Sequence, residues 1–208
     1  MTKLHIFDMD GTLLHGSACL HISEYAGKLA EVNVIEEGWS RGEVGHVEFF
    51  QLCLPLWGEL SEADIDEIFA RTPWKQNVPQ VFEDITRRGE YSAVVTLSPL
   101  FFVTRLLHWG AMTAHGAEVF GGRAPDPELV LTPHSKVGIA ASLMERYRIG
   151  PEDCIAYGDS SSDIPLFRTL PNTVAVNGSA ALREIAAATY DGDDIWEAYA
   201  VGRKLVGI

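Results

Sequence analysis

Short apolar runs alternate with helix-like stretches through the second half of the chain. Four runs rich in apolar and β-branched residues end in a polar residue or glycine, as strands commonly do: 4–7, 92–97, 154–157 and 173–176. Apolar residues recur at helical spacing between them, at 99–109 and 136–148. Parallel strands need such crossovers, so this order predicts an α/β fold with a Rossmann-like, doubly wound parallel sheet. A hairpin of 118–120 and 128–131 is also predicted.

Residues 15–77 follow a different pattern, with helical spacing and no convincing strand. Three helices are predicted there: 18–32, 44–54 and 61–70. The sequence Ser61-Glu62-Ala63-Asp64 has the form of a capping box at the start of the third. We therefore divide the chain into a core of residues 1–14 and 78–208 and a small helical cap of residues 15–77, inserted after the first strand.

The most informative residues are two carboxylates at the end of the first predicted strand, Asp8 and Asp10, followed by Gly11. The carboxyl edge of a parallel sheet is where open α/β folds bind ligands. A buried carboxylate loses solvation, and two of them side by side also repel each other, so a bound divalent cation would relieve both costs. The alternative is ordinary turn chemistry, in which Asp10-Gly11 only closes a turn.

Three later features are placed to meet these two acids at the same edge. Ser98 ends the second predicted strand and precedes Pro99, so it is either a plain helix N-cap or a ligand for an anion at the helix start. Lys136 lies in the first turn of its predicted helix, where its positive charge interacts unfavourably with the helix dipole and a nearby anion would offset this cost. The alternative is a solvated lysine on the surface. Asp159 and Asp163 follow the third strand, and four acids around one lysine favour a hard divalent cation.

Composition narrows the classes of partner. The formal net charge of −13 argues against nucleic acid and against an anionic membrane surface, because both are bound through clustered Lys and Arg. No stretch without a charged residue is long enough for a spanning helix, and one of the two longest, 91–104, contains Pro99. The N-terminal sequence is unlike a secretory leader, so a cytoplasmic protein is expected. Cys19, Cys53 and Cys154 show no zinc-site spacing and are expected as buried apolar side chains.

Taken in order, these motifs resemble those of the haloacid dehalogenase superfamily of phosphohydrolases. The match consists of Asp8-Met9-Asp10-Gly11-Thr12, then Ser98, then Lys136, then Gly158-Asp159 with Asp163. Together the motifs span nearly the whole chain, and the helical insert between the first two is similar to the type 1 cap of that family. The short cap, the sequence around Ser98 and the overall length look most like the phosphoserine-phosphatase-like branch.

The resemblance implies a role for each matched residue. Asp8 would attack phosphorus to form an aspartyl-phosphate, while Asp10 would protonate the leaving alkoxide and later take a proton from water. Mg²⁺ would be bound by the side chains of Asp8 and Asp159 and by the backbone carbonyl of Asp10, and would offset the repulsion between nucleophile and phosphate. Asp163 would orient the catalytic Lys136 or support the metal. Contacts to the phosphate and the substrate are assigned to Thr12, Ser98, Pro99, Leu100 and Lys136.

The cap departs from the phosphoserine-phosphatase pattern where that pattern recognises an amino acid. A Glu on the first cap helix and an Arg on the second are replaced, in an ungapped comparison, by Ser17 and Cys53. No Arg or Lys occurs within residues 42–70, so a substrate carboxylate would lack its cation. We therefore expect a leaving group that is neutral and partly apolar or hydroxylated, with Ser17, Trp57 and His15 as candidate contacts.

The sequence thus predicts a Mg²⁺-dependent phosphomonoesterase that hydrolyses a small phosphorylated metabolite. Three alternatives stay open: a phosphotransferase or mutase with the same Asp8 nucleophile, phosphoserine phosphatase itself, and a non-catalytic binding module. The apolar cap residues within 49–57 either pack the helices together or face the cleft. The sequence leaves the oligomeric state open.

Overall fold

The computed structural model describes residues 2–207 of the 208-residue chain. At its centre is a six-stranded sheet in which every neighbouring pair of strands is parallel. The strands are β1 (Leu4–Phe7), β2 (Tyr91–Pro99), β3 (Thr113–Ala117), β4 (Cys154–Gly158), β5 (Asn172–Val176) and β6 (Ala188–Tyr190). Their spatial order, β3-β2-β1-β4-β5-β6, confirms the predicted α/β fold with a Rossmann-like, doubly wound sheet.

Helices cover both faces of this sheet. In chain order the α-helices are α1 (Ala18–Tyr25), α2 (Leu29–Ser40), α3 (His46–Trp57), α4 (Glu62–Arg71), α5 (Val78–Arg87), α6 (Leu100–Val103), α7 (Pro133–Tyr147), α8 (Ile164–Phe167), α9 (Ala180–Arg183) and α10 (Ile195–Leu205). Successive strand residues point to opposite faces, so Ile6 is buried with residues of α7 and α8, and Phe7 with residues of α5 and α10. No helix within residues 2–207 has the length and apolar character needed to cross a membrane.

Four strands lie where the apolar runs predict them, whereas β3 and β6 are missed. Both missed strands are edge strands, and β3 contains His115 and Gly116 in place of a β-branched run. The predicted hairpin is wrong. Residues 118–120 and 128–131 form no strands and are joined by a backbone hydrogen bond from Glu118 N to Leu129 O at 3.0 Å. The strand that pairs with β2 on the side away from β1 is β3, which is parallel to it.

The interval between β1 and α5 contains α1 to α4. The predicted single helix at 18–32 is wrong, because Gly27 adopts φ +68° just beyond the end of α1, and α2 then runs to Ser40. The other two predicted helices correspond to α3 and α4, and the capping box of Ser61 and Asp64 is confirmed. The division into a core of residues 1–14 and 78–208 and a cap of residues 15–77 stays a prediction.

An aromatic cluster fastens the end of this insert to the sheet layer. The ring of Phe69 on α4 lies 4.6 Å from that of Trp74, 5.5 Å from Phe102 and 4.9 Å from Trp109, measured between centroids. Each aromatic pair contributes about 0.5–1.5 kcal/mol beyond the burial of its surface. Because α4 is fixed in this way, α1 to α3 are held above the carboxyl edge of the sheet.

Candidate active site

The carboxyl ends of β1 and β4 carry the acidic residues that the sequence singles out. These two strands are neighbours at the centre of the sheet, where the chain order reverses, and such switch points form ligand crevices in open α/β sheets. Asp8 follows β1, and its backbone N–H donates to Tyr157 O of β4 at 2.9 Å. Gly11 turns the chain at φ +74°, and a Cβ there would overlap the carboxylate of Asp159. The turn after β1 therefore lies directly against the end of β4.

Lys136 reaches this edge from α7 and joins two of the acids. Its ammonium lies 2.7 Å from Asp8 Oδ1, 2.6 Å from Asp163 Oδ1 and 3.2 Å from Ser162 Oγ, and the residue is 1% exposed. Burial alone would lower the pKa of Lys136, but the carboxylates of Asp163 and Asp8 raise it above its ordinary value. The side chain therefore stays charged, and the surface-lysine alternative is excluded.

Asp163 is held from two sides. Its Oδ2 accepts hydrogen bonds from the backbone N–H groups of Asp159 at 3.0 Å and Ser160 at 3.2 Å, while its Oδ1 accepts from Lys136. A Cβ at Gly158 would overlap this carboxylate, so the end of β4 needs glycine to approach it. Asp163 thus fixes both the ammonium of Lys136 and the backbone of Asp159.

The three acids carry more negative charge than Lys136 compensates. Oxygens of Asp8, Asp159 and Asp163 all lie within 4.8 Å of one another, and Asp159 Oδ1 is buried with no hydrogen-bond partner among the described residues. Burial, with the charge of Asp163 second, raises the pKa of Asp159 to about 7 and that of Asp8 well above its ordinary value. Close carboxylate oxygens with an unsatisfied lone pair are the donor set that a hard divalent cation prefers, so the residues fit such an ion.

Asp10 points to a separate set of donors. Its Oδ1 accepts from the N–H of Ala18, the first residue of α1, at 2.7 Å, and its Oδ2 accepts from Thr96 Oγ1 at 2.8 Å and Ser98 Oγ at 2.7 Å. Of the two alternatives for Ser98, the plain helix N-cap is excluded, because β2 continues through Pro99, which pairs with Ala117 of β3, and the cap of α6 is Pro99. The hydroxyl proton of Ser98 is instead directed to Asp10.

A cavity of about 440 Å³ lies between this edge and the insert. On the sheet side it is bordered by Asp8, Asp10, Ser98, Asp159, Ser160 and Ser162. On the insert side it is bordered by Ser17, Cys19, Leu20, Glu36, Trp39, His46, Phe49 and Phe50. The acids from the ends of two strands therefore open onto a space that is roofed by α1, α2 and α3.

Several residues assigned to the substrate do not border this cavity. Trp57 is buried among the helices and donates from Nε1 to Ser23 Oγ at 2.7 Å, because its indole fills the interface of α1 and α3. His15 lies outside on the surface, 2.5 Å from Asp193. Pro99 and Leu100 follow Ser98 in the chain but do not border the cavity. Thr12 does not border it either: the residue is wholly buried in the turn, and its hydroxyl has no hydrogen-bond partner among the described residues. These residues therefore lie outside the lining of the cavity, and their contacts to a substrate stay a prediction.

Ser17 does border the cavity, and it leads to a residue that sequence reasoning missed. Ser17 caps α1, accepting from Leu20 N at 3.2 Å, and its hydroxyl donates to Glu36 Oε1 at 2.7 Å. Burial raises the pKa of Glu36, against the hydrogen bond from Ser17. The apolar spacing of Val32, Ile35 and Trp39 marks α2 and could have placed Glu36 beside its buried stripe. The three cysteines are buried and free, as expected.

Comparison with known proteins places these features in a family context. The model of the family described as haloacid dehalogenase-like hydrolase matches residues 6–168. The chain is 24% identical over 199 residues to the phosphoserine phosphatase of Idiomarina loihiensis, a match that covers 93% of this chain and 90% of that protein. It shares its fold with a substrate-bound phosphoserine phosphatase complex (TM-score 0.81, 21% identity, 96% and 98% of the two chains). The chain also shares its fold with a phospho-aspartyl intermediate analogue of phosphoserine phosphatase (TM-score 0.80, 22% identity, covering 96% and 98% of the two chains).

Proposed function

We propose that this chain, which belongs to the haloacid dehalogenase-like hydrolase family, is a phosphatase that hydrolyses a small phosphomonoester through a phosphorylated Asp8. The family match and the relatives confirm the resemblance predicted from the sequence. One observation carries the proposal: the carboxylate of Asp8 lies 2.7 Å from the buried ammonium of Lys136, beside Asp159 and Asp163, and borders the cavity between the sheet edge and the insert. A non-catalytic module would have no reason to bury this arrangement.

Charge is the main obstacle to attack by Asp8 on a phosphate. Two unit charges 4 Å apart repel by about 4 kcal/mol at an effective dielectric near 20. Lys136 offsets part of this repulsion, because it contacts Asp8 and is kept charged by its carboxylate partners. Asp8 attacks phosphorus, and the ester oxygen leaves as the bond to Asp8 forms.

The remaining negative charge fits a divalent cation, and we assign Mg²⁺ to it. The side chains of Asp8 and Asp159 would hold the ion, together with the backbone carbonyl of Asp10; Asp163 is less suited, because its oxygens already accept from Lys136 and two backbone N–H groups. When bound, the ion would neutralise part of the charge on the phosphate oxygens. The orphaned Oδ1 of Asp159 supports this assignment.

Asp10 is assigned the proton transfers. Its carboxylate borders the cavity and is oriented by the N–H of Ala18 and by the hydroxyls of Thr96 and Ser98. It first donates a proton to the leaving alkoxide, and it later accepts one from the water that attacks phosphorus and releases Asp8. The contact to Ala18 links Asp10 to the start of α1, so the orientation of the acid depends on the position of the cap.

The size of the cavity limits the substrate to a small molecule. A volume of about 440 Å³ lies at the lower end of the range for ligand pockets, roughly 300–1,000 Å³. We assign residues 15–77 as a cap that encloses the substrate during the reaction and moves to release alcohol and phosphate. The chemistry requires no nucleic acid or membrane partner.

The test compares inorganic phosphate released with ester consumed, over phosphorylated sugars, polyols, amino acids and amino alcohols, with Mg²⁺ or with a chelator. We expect one phosphate for each ester, and a fall in turnover of about 10⁴-fold or more in Asp8→Asn. The matched control is Asp66→Asn, on the exposed side of α4, which should turn over like the wild type. Wild-type turnover in Asp8→Asn would refute the mechanism. If less phosphate is released than ester is consumed, the enzyme transfers the phosphoryl group to a second alcohol.

A further inference from the structure

The insert side of the cavity combines one acid with an apolar wall. Glu36 is the sole carboxylate there among the described residues, and it shares that side of the cavity with Leu20, Trp39, Phe49 and Phe50. No Lys or Arg borders the cavity within the described part of the chain. His46 adds no fixed positive charge, because burial lowers its pKa and its Nδ1 faces the donor Trp39 Nε1 at 3.2 Å.

The position of Glu36 is set by Ser17. The Ser17 hydroxyl has one proton, and it donates that proton to Glu36 Oε1 at 2.7 Å, while its oxygen is held by Leu20 N at the start of α1. The carboxylate that faces the cavity from the insert therefore comes from α2, and the serine at the start of α1 orients it. Cys53 on α3 is a fully buried thiol whose pKa is raised to about 12, mainly by burial, so it offers no positive charge to a substrate carboxylate.

Three aromatic rings complete the wall. Phe49 and Phe50 meet edge to face at 5.4 Å between centroids, and Trp39 meets Phe49 at 6.5 Å. Aromatic faces attract a cation through the ring quadrupole, most strongly where water is excluded. A carboxylate on the leaving group would meet Glu36 with no cation to offset the repulsion, whereas an ammonium would meet both the carboxylate and the rings.

We propose that Glu36, oriented by Ser17 and flanked by Trp39, Phe49 and Phe50, binds an ammonium group on the leaving alcohol, so that the substrates are phosphate esters of small amino alcohols that lack a carboxylate. The inference rests on the proposed function, since it concerns the alcohol that the same site releases. It replaces the neutral leaving group expected from the sequence, because that expectation did not include Glu36.

The test uses pairs of esters that differ in charge and little in shape. The first pair is phosphocholine and 3,3-dimethylbutyl phosphate, in which carbon replaces nitrogen; the second is phosphoethanolamine and 2-hydroxyethyl phosphate. In the wild type we expect kcat/KM to be at least tenfold higher for the charged member of a pair. In Glu36→Gln this ratio should fall at least tenfold. In Glu37→Gln it should stay at the wild-type value, because Glu37 is an exposed neighbour on α2 that contacts Arg41.

A second measurement needs no variant. Choline should inhibit the wild-type enzyme at a concentration at least tenfold lower than 3,3-dimethylbutanol, its uncharged analogue. Three results would overturn the inference without contradicting the phosphatase activity. They are a ratio of kcat/KM values, charged ester to neutral ester, near one in the wild type; the same ratio in Glu36→Gln as in the wild type; and faster hydrolysis of O-phospho-L-serine than of phosphoethanolamine. Failure to release phosphate from any of these esters would overturn the phosphatase and the inference together.

Discussion

Two buried polar clusters lie at opposite ends of β1, and they differ in how completely their charges are matched. At the carboxyl end, the edge cluster of Asp8, Asp159, Asp163 and Lys136 has one cation for three acids. At the amino end, the base network consists of His5, Asp84, Glu90, Tyr199 and Arg203 with their neighbours. Most members of both clusters are buried, so the difference between the clusters lies in their hydrogen bonds and ion pairs.

Every member of the base network has a partner. His5 contacts Tyr157 OH and Glu90 Oε2, each at 3.1 Å, and Arg203 donates to Glu90 at 2.7 Å and to Tyr199 OH at 2.9 Å. Tyr199 in turn donates to Asp84 at 3.0 Å. Although burial raises the pKa of Glu90, its hydrogen bonds from His5 and Arg203 bring it below the ordinary value, whereas the pKa values of Asp8 and Asp159 are raised.

The comparison separates burial that stabilises the fold from burial that serves chemistry. A carboxylate whose pKa is lowered on folding stabilises the folded state at neutral pH, and one whose pKa is raised destabilises it. The base network belongs to the first kind and the edge cluster to the second. An arrangement that opposes folding is retained where a ligand or a reaction needs it.

The largest effect is expected from Asp159→Asn, which removes charge from the edge cluster while keeping its shape. Activity with Mg²⁺ should fall about 10³-fold, because ion binding contributes several kcal/mol to stabilising the transition state. The metal-free variant should be at least as stable as the metal-free wild type, since a buried like charge is gone. Phosphate release and thermal melting in chelator measure the two effects.

A control for that result is Asp153→Asn, which removes the partner of Lys3 at the far end of β4. It should leave the Mg²⁺ dependence of activity unchanged. A metal-free Asp159→Asn that melts well below the wild type would contradict the view that the edge cluster opposes folding.

The next largest effect is expected from Arg203→Ala in the base network. Among the described residues Arg203 is the arginine paired with Glu90, and Glu90 would lose it while staying buried. Breaking a buried pair on one side costs about 3 kcal/mol in the free energy of unfolding. Urea unfolding gives this value, and Lys204→Ala, at the exposed next residue, is the matched control. A loss below about 1 kcal/mol would show that the network contributes little to stability.

A smaller effect is expected from pH in the metal-free wild type. Between pH 5 and 7.5 the unfolded Asp159 is ionised, because its ordinary pKa is 3.8, whereas the folded one still binds a proton for much of this range, with its pKa raised to about 7. The folded state then binds more protons than the unfolded state, so the free energy of unfolding falls as pH rises, by on the order of 2 kcal/mol.

Urea titrations at several pH values, with and without Mg²⁺, measure this slope. Saturating Mg²⁺ should reduce this slope, and so should Asp159→Asn in chelator, because each takes away the proton that Asp159 holds in the folded state. Asp8, whose pKa is also raised, keeps its own contribution in the variant. Stability that rises with pH in the metal-free wild type would have the wrong sign for this account.

The smallest effect is expected from Tyr199→Phe. The change removes the hydroxyl that donates to Asp84 and accepts from Arg203, but both charged groups keep other partners. The free energy of unfolding should fall by about 1 kcal/mol, the usual net contribution of a hydrogen bond. Tyr25→Phe, at an exposed hydroxyl of α1, is the control, and an equal loss there would remove the distinction.

The sequence by itself determined the α/β fold and the residues gathered at the edge. Asp8, Asp159 and their neighbours follow apolar runs, and the carboxyl ends of parallel strands meet at one edge whatever the details of packing. That rule explains why Asp8 and Asp159 could be predicted to lie together although they are 151 positions apart in the chain. It says nothing about edge strands such as β3, whose residues carry weak periodicity.

Only the tertiary structure decided what faces the substrate. Glu36 and Trp57 both lie on helices of the insert, but the packing of α1, α2 and α3 directs Glu36 into the cavity and Trp57 towards Ser23. A helix presents a face to its neighbours that depends on its rotation and crossing angle, and neither is encoded by residue type at one position. Strand ends share a common direction set by the sheet, whereas the faces that α1, α2 and α3 present are set by contacts between different segments of the chain.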